Sequence, residues 1–345
     1  MLSSRERGQE AEAGMAGRED AFLRQAARFR PELLAHCYRM LGSVQDAEDL
    51  VQETYLRAWR GYAGFEGRSS LRYWLYRIAT SACLTALEHH SRRFLPAGLG
   101  GPGDDPTAPL NPTNGEVAWV QPMPDPPSDP AAVVVSRGSV RLALIVALQA
   151  LPPRQRAVLI LRDVLAWRAA EVAELLDTST AAVNSALQRA RAQLQEVSAT
   201  EDEVSGDRLD EQGRRLLDGY AKAFETADVD ALLKLLHSDA TLQMPPEPLW
   251  FTGRENIGAF FAQHVFPRSG PQRVLRTSAN GGQPTMATYW RGADGMYHPH
   301  ALQVLTLGGR GIVGIVAFRD ASLFQSFGMP ARLGSSPIPS PSCRG

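Results

Sequence analysis

Lysine is nearly missing from this chain of 345 residues: Lys222 and Lys234 stand against 34 arginines. An overall cationic shell is missing too. Thirty-six basic residues face 37 acidic ones, for a net charge of −1, so any surface for nucleic acid must be local. The three cysteines, Cys37, Cys83 and Cys343, form no CxxC pair, which excludes a disulfide framework and suits a reducing cytosol. His36, His89 and His90 near the first two add no standard zinc spacing, and no metal or other cofactor is expected. No uninterrupted apolar run approaches the roughly 20 residues of a membrane helix. Residues 1–19 are charged and small, without the apolar core of a signal peptide, and are expected to be disordered. The expected location is therefore cytoplasmic.

What is present falls into zones. Residues 20–93 and 137–197 carry helical periodicity with few breakers. Between them, 94–136 holds ten of the 24 prolines, five acids and no basic residue, and reads as an extended acidic linker. From about 207 two helical patterns (208–227 and 229–237) give way to β-type runs: "TMATYWRG", "ALQVLTLGG" and "GIVGIVAFRD". Helices followed by strands predict a separate α+β domain over 205–330. Residues 331–345 read as a disordered tail.

One further absence is the most informative. Residues 179–194, "STAAVNSALQRARAQL", contain no acid. Val183, Ala186, Leu187, Ala190 and Leu194 recur at helical spacing as a buried stripe, and Asn184, Ser185, Gln188, Arg189 and Arg191 lie on the other side. Upstream, "RAAEVAELL" predicts a short helix and Asp177-Thr178-Ser179 a tight break, since Asp tolerates the left-handed conformation. Ser179 or Thr178 can cap the following helix. Two helices so joined match a helix-turn-helix, whose second helix enters the major groove. Asn and Gln can pair with adenine there, and Arg with guanine. A plain αα-hairpin in a core is the alternative at this point.

The longer stretch "ALQALPPRQRAVLILRDVLAWRAAEVAELLDTSTAAVNSALQRARAQL" (147–194) resembles region four of extracytoplasmic-function (ECF) RNA polymerase sigma factors. The resemblance implies that Asn184, Ser185, Gln188 and Arg189 face bases or backbone of the minus-thirty-five element and that Arg191 meets phosphate. Ala166 and Asp177 stand where that family often has Gly. "DAEDLVQETYLRAWRGYAGFEGRSSLRYWLYRIATSACLTALEHHSRR" (46–93) is similar to region two. Asp49, Gln52, Glu53, Leu56 and Arg60 would then dock on the clamp of core polymerase. Tyr73, Trp74, Arg77, Thr80 and Ser81 would capture the melted minus-ten element, with Ser81 where many relatives carry Asn. Aromatics interleaved with Arg suit single strands, because bases stack on rings while guanidinium groups hold phosphate. The resemblance also implies that the acidic linker runs along the RNA exit path.

With "LLDGYAKAFETADVDALLKLLHSDATLQMPP" (216–246), "WFTGRENIGAFF" (250–261) and the closing "GIVGIVAFRD" (311–320), residues 208–330 resemble the SnoaL-like group, an α+β cone of helices on a curved sheet. Tyr220, Trp250, Phe251, Tyr289 and Phe318 are its candidate pocket residues, which leaves room for a small-molecule ligand. His237, His264, His298, His300, Asp239 and Asp320 are available for acid–base work, but their spacing identifies no pair. The expected architecture is multidomain: two all-α sigma domains plus this cone. The expected function is promoter-specific initiation with core polymerase and promoter DNA as partners, no catalysis, and regulation in cis by the last domain. The rivals are a ligand-responsive regulator acting without polymerase and a SnoaL-type isomerase fused to a DNA-binding module.

Overall fold

The computed structural model describes residues 22–110 (apart from 23, 66, 68 and 90), 117–125, 140–198 and 211–334. The expectations for 1–19 and for 335–345 lie outside the described residues. The chain divides into two compact units, one built from Met1–Arg93 with Leu142–Val197, the other from Phe94–Arg141 with Ser198–Gly345.

The first unit is all helical: α1 (Arg30–Leu41), α2 (Val44–Gly61), α3 (Leu71–His89), α4 (Leu142–Ala150), α5 (Pro153–Leu159), α6 (Ala169–Leu175) and α7 (Thr180–Ser198). Local chemistry sets the boundaries. Gly42, at φ 71°, ends α1 and donates its N–H to the Tyr38 carbonyl at 2.7 Å. Ser43 then caps α2, its hydroxyl accepting from Asp46 N at 3.2 Å. Val44, Ala47, Val51, Thr54 and Ala58 form the buried face of α2. Helix α5 begins at Pro153 and runs on through a π-turn, Ile160–Val164.

A buried guanidinium ties the two helical zones of the sequence into this one unit. Arg156 of α5 donates Nη1 to the Met40 carbonyl at the end of α1 and to Gln149 Oε1, and Nη2 to the carbonyls of Gln149 and Leu151. Gln149 Nε2 in turn donates to the Arg39 carbonyl at 3.3 Å. Burial pulls the Arg156 pKa down to about 10, so the group stays charged at neutral pH. Each hydrogen bond to such a charge contributes about 1.5–3 kcal/mol.

The second unit is α+β. Helices α8 (Glu211–Thr226), α9 (Val229–Leu233), α10 (Arg254–Phe260) and α11 (Phe266–Ser269) accompany one six-stranded sheet, and α12 (Ser322–Ser326) follows it. The strands are β1 (Leu236–Gln243), β2 (Trp250–Thr252), β3 (Arg273–Ala279), β4 (Gln283–Arg291), β5 (Tyr297–Gly308) and β6 (Gly311–Phe318), ordered β2-β1-β6-β5-β4-β3. Only β1 and β6 run parallel. Register shifts in β4–β5 and β5–β6 bend these long strands. Leu217, Tyr220 and Phe224 of α8 share one core with Phe260 of α10 and with Leu242, Leu305 and Ile315 of the sheet.

The described part of 94–136, read from the sequence as an extended acidic linker, is bound along the second unit. Gly103 N donates to the Trp250 carbonyl at 2.8 Å, and Trp250 Nε1 donates to the Gly100 carbonyl at 2.9 Å. At the β3–β4 turn, Asn280, Gly281 and Gly282 all have positive φ. Successive N–H groups in such a turn form a concavity for an anion. Asp125 fills it, accepting from Gly281 N at 2.7 Å and Gly282 N at 2.8 Å. An extended proline-rich segment keeps unsatisfied carbonyls and carboxylates, and here the domain supplies their donors. The tail reading is corrected as well from Ala331 to Gly334: Leu333 and Tyr297 exchange two 2.9 Å backbone hydrogen bonds.

Candidate functional site

The helix-turn-helix is built as its sequence predicts. Asp177 adopts φ 49° after α6. Thr178 N donates to the Ala173 carbonyl at 2.9 Å, and Asp177 N points to the Glu174 carbonyl at 3.4 Å, a Schellman-type ending. Ala166 also has positive φ, 56°, so both positions hold left-handed turns without Gly. Ser179 is the cap of α7, its hydroxyl accepting from Ala182 N at 3.1 Å. Val183, Leu187 and Ala190 are buried, and Asn184, Ser185, Gln188, Arg189 and Arg191 are exposed together on the opposite face. Arg191 is held: its Nε and Nη2 donate to both oxygens of Asp163, at 2.9 and 2.7 Å. Asp163 thereby lends this acid-free face one acid from the π-turn. Arg189 has no ion pair among the described residues.

On α2, Asp49, Gln52, Leu56 and Arg60 are exposed along one stripe, with half-buried Glu53 accepting from Arg57 Nε at 2.7 Å. Leu56 is 51 % exposed, an apolar side chain in water on a charged helix.

The α3 residues separate into three environments. Tyr73 stacks on Trp167, centroids 4.4 Å apart at 21°, and Arg77 Nη1 lies 3.6 Å from Glu174. Trp167 is buried and also meets Tyr76 edge-on at 6.1 Å. Hence the segment from the π-turn into α6 lies against the Tyr73–Arg77 side of α3, leaving Tyr73 half-buried and Arg77 exposed. Trp74 instead packs on Phe65 at 4.8 Å and is half-buried, and Ser81 is exposed. Thr80 corrects the sequence reading: it is fully buried. Its hydroxyl donates to the Tyr76 carbonyl at 2.8 Å and accepts from His36 Nε2 at 2.9 Å. Trp167 and Arg156 were not singled out from the sequence. A Trp beside a turn and an Arg in "LPPRQR" were the only signals.

The C-terminal cavity departs further from expectation. A cleft open at its mouth is lined by Phe224, Phe260, Phe261, Trp290 and Leu110 among apolar groups. Its polar lining comprises His264, Arg268, Gln272, His300, Gln303 and Arg319. None of the five predicted pocket residues lines it. Tyr220 is core, donating its hydroxyl to Gln303 Oε1 at 2.8 Å. Phe251 packs on Phe260, and Tyr289 meets Phe324 edge-on while donating to the Pro330 carbonyl. Phe318 is buried, and Trp250 is turned to the 94–136 stretch. Of the acid–base candidates, His264 and His300 reach the cavity, without a carboxylate in its lining.

Comparisons with known proteins match three stretches of the chain. The model of Sigma-70 region 2 matches residues 26–93, that of Sigma-70 region 4 matches 141–194, and that of a SnoaL-like domain matches 217–320. The ECF RNA polymerase sigma factor SigG of Mycobacterium tuberculosis is 50 % identical over 313 residues, covering 88 % of this chain and 83 % of SigG. SigJ of the same organism is 33 % identical over 233 residues, 66 % of this chain and 63 % of SigJ. The crystal structure of SigJ shares the fold at a TM-score of 0.58 and 24 % identity, covering 90 % of this chain and 99 % of that one.

Proposed function

Because the chain belongs to the ECF RNA polymerase sigma factors, we propose a division of its labour among three surfaces. As a sigma factor it associates with core RNA polymerase and directs promoter-specific initiation. The observation that carries the residue-level reading is the exposed, amide- and arginine-bearing face of α7 on its capped turn. Asn184, Ser185, Gln188 and Arg189 read the edges of the minus-thirty-five element, where a well-placed bidentate pair discriminates by about 1–3 kcal/mol. Arg191, already neutralised by Asp163, contributes to phosphate contact through what its ion pair leaves free. The stripe Asp49, Gln52, Glu53, Leu56 and Arg60 docks on polymerase, with Leu56 as its apolar centre.

Capture of the melted minus-ten element belongs to Tyr73, Trp74, Arg77 and Ser81. Trp167 and Glu174 occupy that side of α3, so capture requires the region-four segment to leave it. Polymerase binding is the event that separates them. Residues 205–330 act in cis on these steps, through the described part of the 94–136 stretch that they hold, and perform no covalent chemistry. The protein works in the cytoplasm, where its polymerase is, and no described helix is long and apolar enough to cross a membrane.

Run-off transcription with core polymerase on genomic fragments tests this reading. The full chain should yield defined start sites, lost when Asn184 and Arg189 are both replaced by Ala. Promoter binding without any transcript would favour a regulator that acts without polymerase.

A further inference from the structure

The C-terminal cavity holds more unspent polar capacity than a packed core tolerates. Gln272, 3 % exposed, uses its Nε2 on Ser269 Oγ at 3.0 Å, but its Oε1 has no partner. His264 Nε2 and Trp290 Nε1 are buried and unpartnered as well. All three residues line the same cleft. Buried polar atoms are nearly always satisfied, and three exceptions around one cavity point to a missing partner. This cleft is open at its mouth and walled largely by rings and aliphatic groups, which a water alone satisfies poorly.

Charge narrows the class. Two guanidinium groups line the cleft, and no carboxylate does. Arg319 is paired with Glu247 Oε1 at 2.8 Å. Arg268 has no ion pair among the described residues. Beside them His300, stacked on Trp290 at 3.6 Å and 18°, has its pKa lowered to about 3, first by burial and then by Arg319 and Arg268. It therefore offers hydrogen bonding without adding charge, and the excess positive charge of the lining rests on Arg268.

We propose that this cleft binds a small planar organic acid, its ring against Phe260, Phe261 and Trp290, its carboxylate toward Arg268, and its edge hydrogen-bonded by Gln272 and His264. Leu110 makes the site more than a passive pocket. It comes from the 94–136 stretch yet forms part of the wall, so an occupied cleft holds that stretch against the domain.

The test uses 2-naphthoate and its uncharged analogue 2-naphthamide as probes, titrated calorimetrically into the full chain. Naphthoate should bind saturably and about tenfold more tightly than the amide, a difference of about 1.4 kcal/mol. Arg268→Gln, at an exposed position, should abolish that preference. Gln272→Leu should weaken both. Amide exchange at Gly103, bonded to Trp250, should slow when naphthoate is bound to the wild-type chain. No saturable binding at millimolar naphthoate, equal binding of acid and amide, or a preference that survives Arg268→Gln would overturn the site. Unchanged exchange at Gly103 would overturn its link to the 94–136 stretch. Because no transcript is measured, failure here leaves the sigma-factor reading intact, and failure of transcription leaves the cleft.

Discussion

The two surfaces proposed for nucleic acid, on α7 and α3, are made of similar residues but differ in access. On α7 the amides and Arg189 stand in solvent. On α3 the Tyr73 ring is covered by Trp167, and Arg77 faces Glu174. The contrast fits the order of initiation: duplex is available from the start, and single strand only after melting. A surface that stacks bases attracts any exposed base, so keeping it covered by an internal ring protects specificity.

The largest expected effect comes from removing that cover. Trp167→Ala deletes a buried indole, and the loss of stability should be about 3–5 kcal/mol, read by urea unfolding. The same variant should bind a single-stranded oligonucleotide without polymerase, while duplex binding stays as it was. Equal gains on both substrates would mean general loosening and would break the comparison.

Acid should come next. His36 donates from Nε2 to Thr80, leaving its buried Nδ1 unpartnered, and its pKa falls to about 3 through burial. The folded pKa lies below the unfolded value of 6.5, so below that value the unfolded chain takes up the proton first. Stability from this group is complete above about pH 6.5 and is lost as pH falls toward 3, at no more than about 1.4 kcal/mol per pH unit. His300 in the other unit acts in the same direction. Unfolding of His36→Gln between pH 7 and pH 4 should show a shallower acid loss in the helical unit alone. A slope identical to wild type would remove His36 from the account.

Arg189→Ala sharpens the α7 side. Promoter affinity should fall by about 1–3 kcal/mol with relaxed choice at one position of the upstream element, measured by competition among promoter variants. Uniform weakening with a flatter salt dependence would assign Arg189 to phosphate instead. The smallest effect belongs to Asp163→Asn, which frees exposed Arg191. Stability should be nearly unchanged, and nonspecific DNA binding should tighten slightly at low salt.

The first unit was more legible in the sequence than the second, and the reason is periodicity. On α7 a 3.6-residue pattern and an absence of acids name both faces, and Asp177 marks the turn. Thr80 failed because it sits one turn after Tyr76 at the edge of the buried arc, where His36 of α1 closes over it. In the sheet the error was one of phase. Tyr289 and Phe318 were chosen as large aromatics, but the cleft is lined by their neighbours Trp290, Ala317 and Arg319. Side chains alternate across a strand, so a one-residue misreading moves the site to the other face. The register shift at Thr288/Tyr289 hides that phase from the sequence. The packing of Trp167 on Tyr73 joins residues 94 positions apart, a distance no local pattern spans.

The most direct measurement is equilibrium binding of a fluorescent single strand bearing the mapped minus-ten sequence, with and without core polymerase. The covered α3 surface predicts negligible binding by the wild-type chain alone, tight and sequence-dependent binding in the complex, and loss of that binding in Tyr73→Ala with Arg77→Ala. Equal, sequence-dependent capture by the free chain and by the complex would contradict the account.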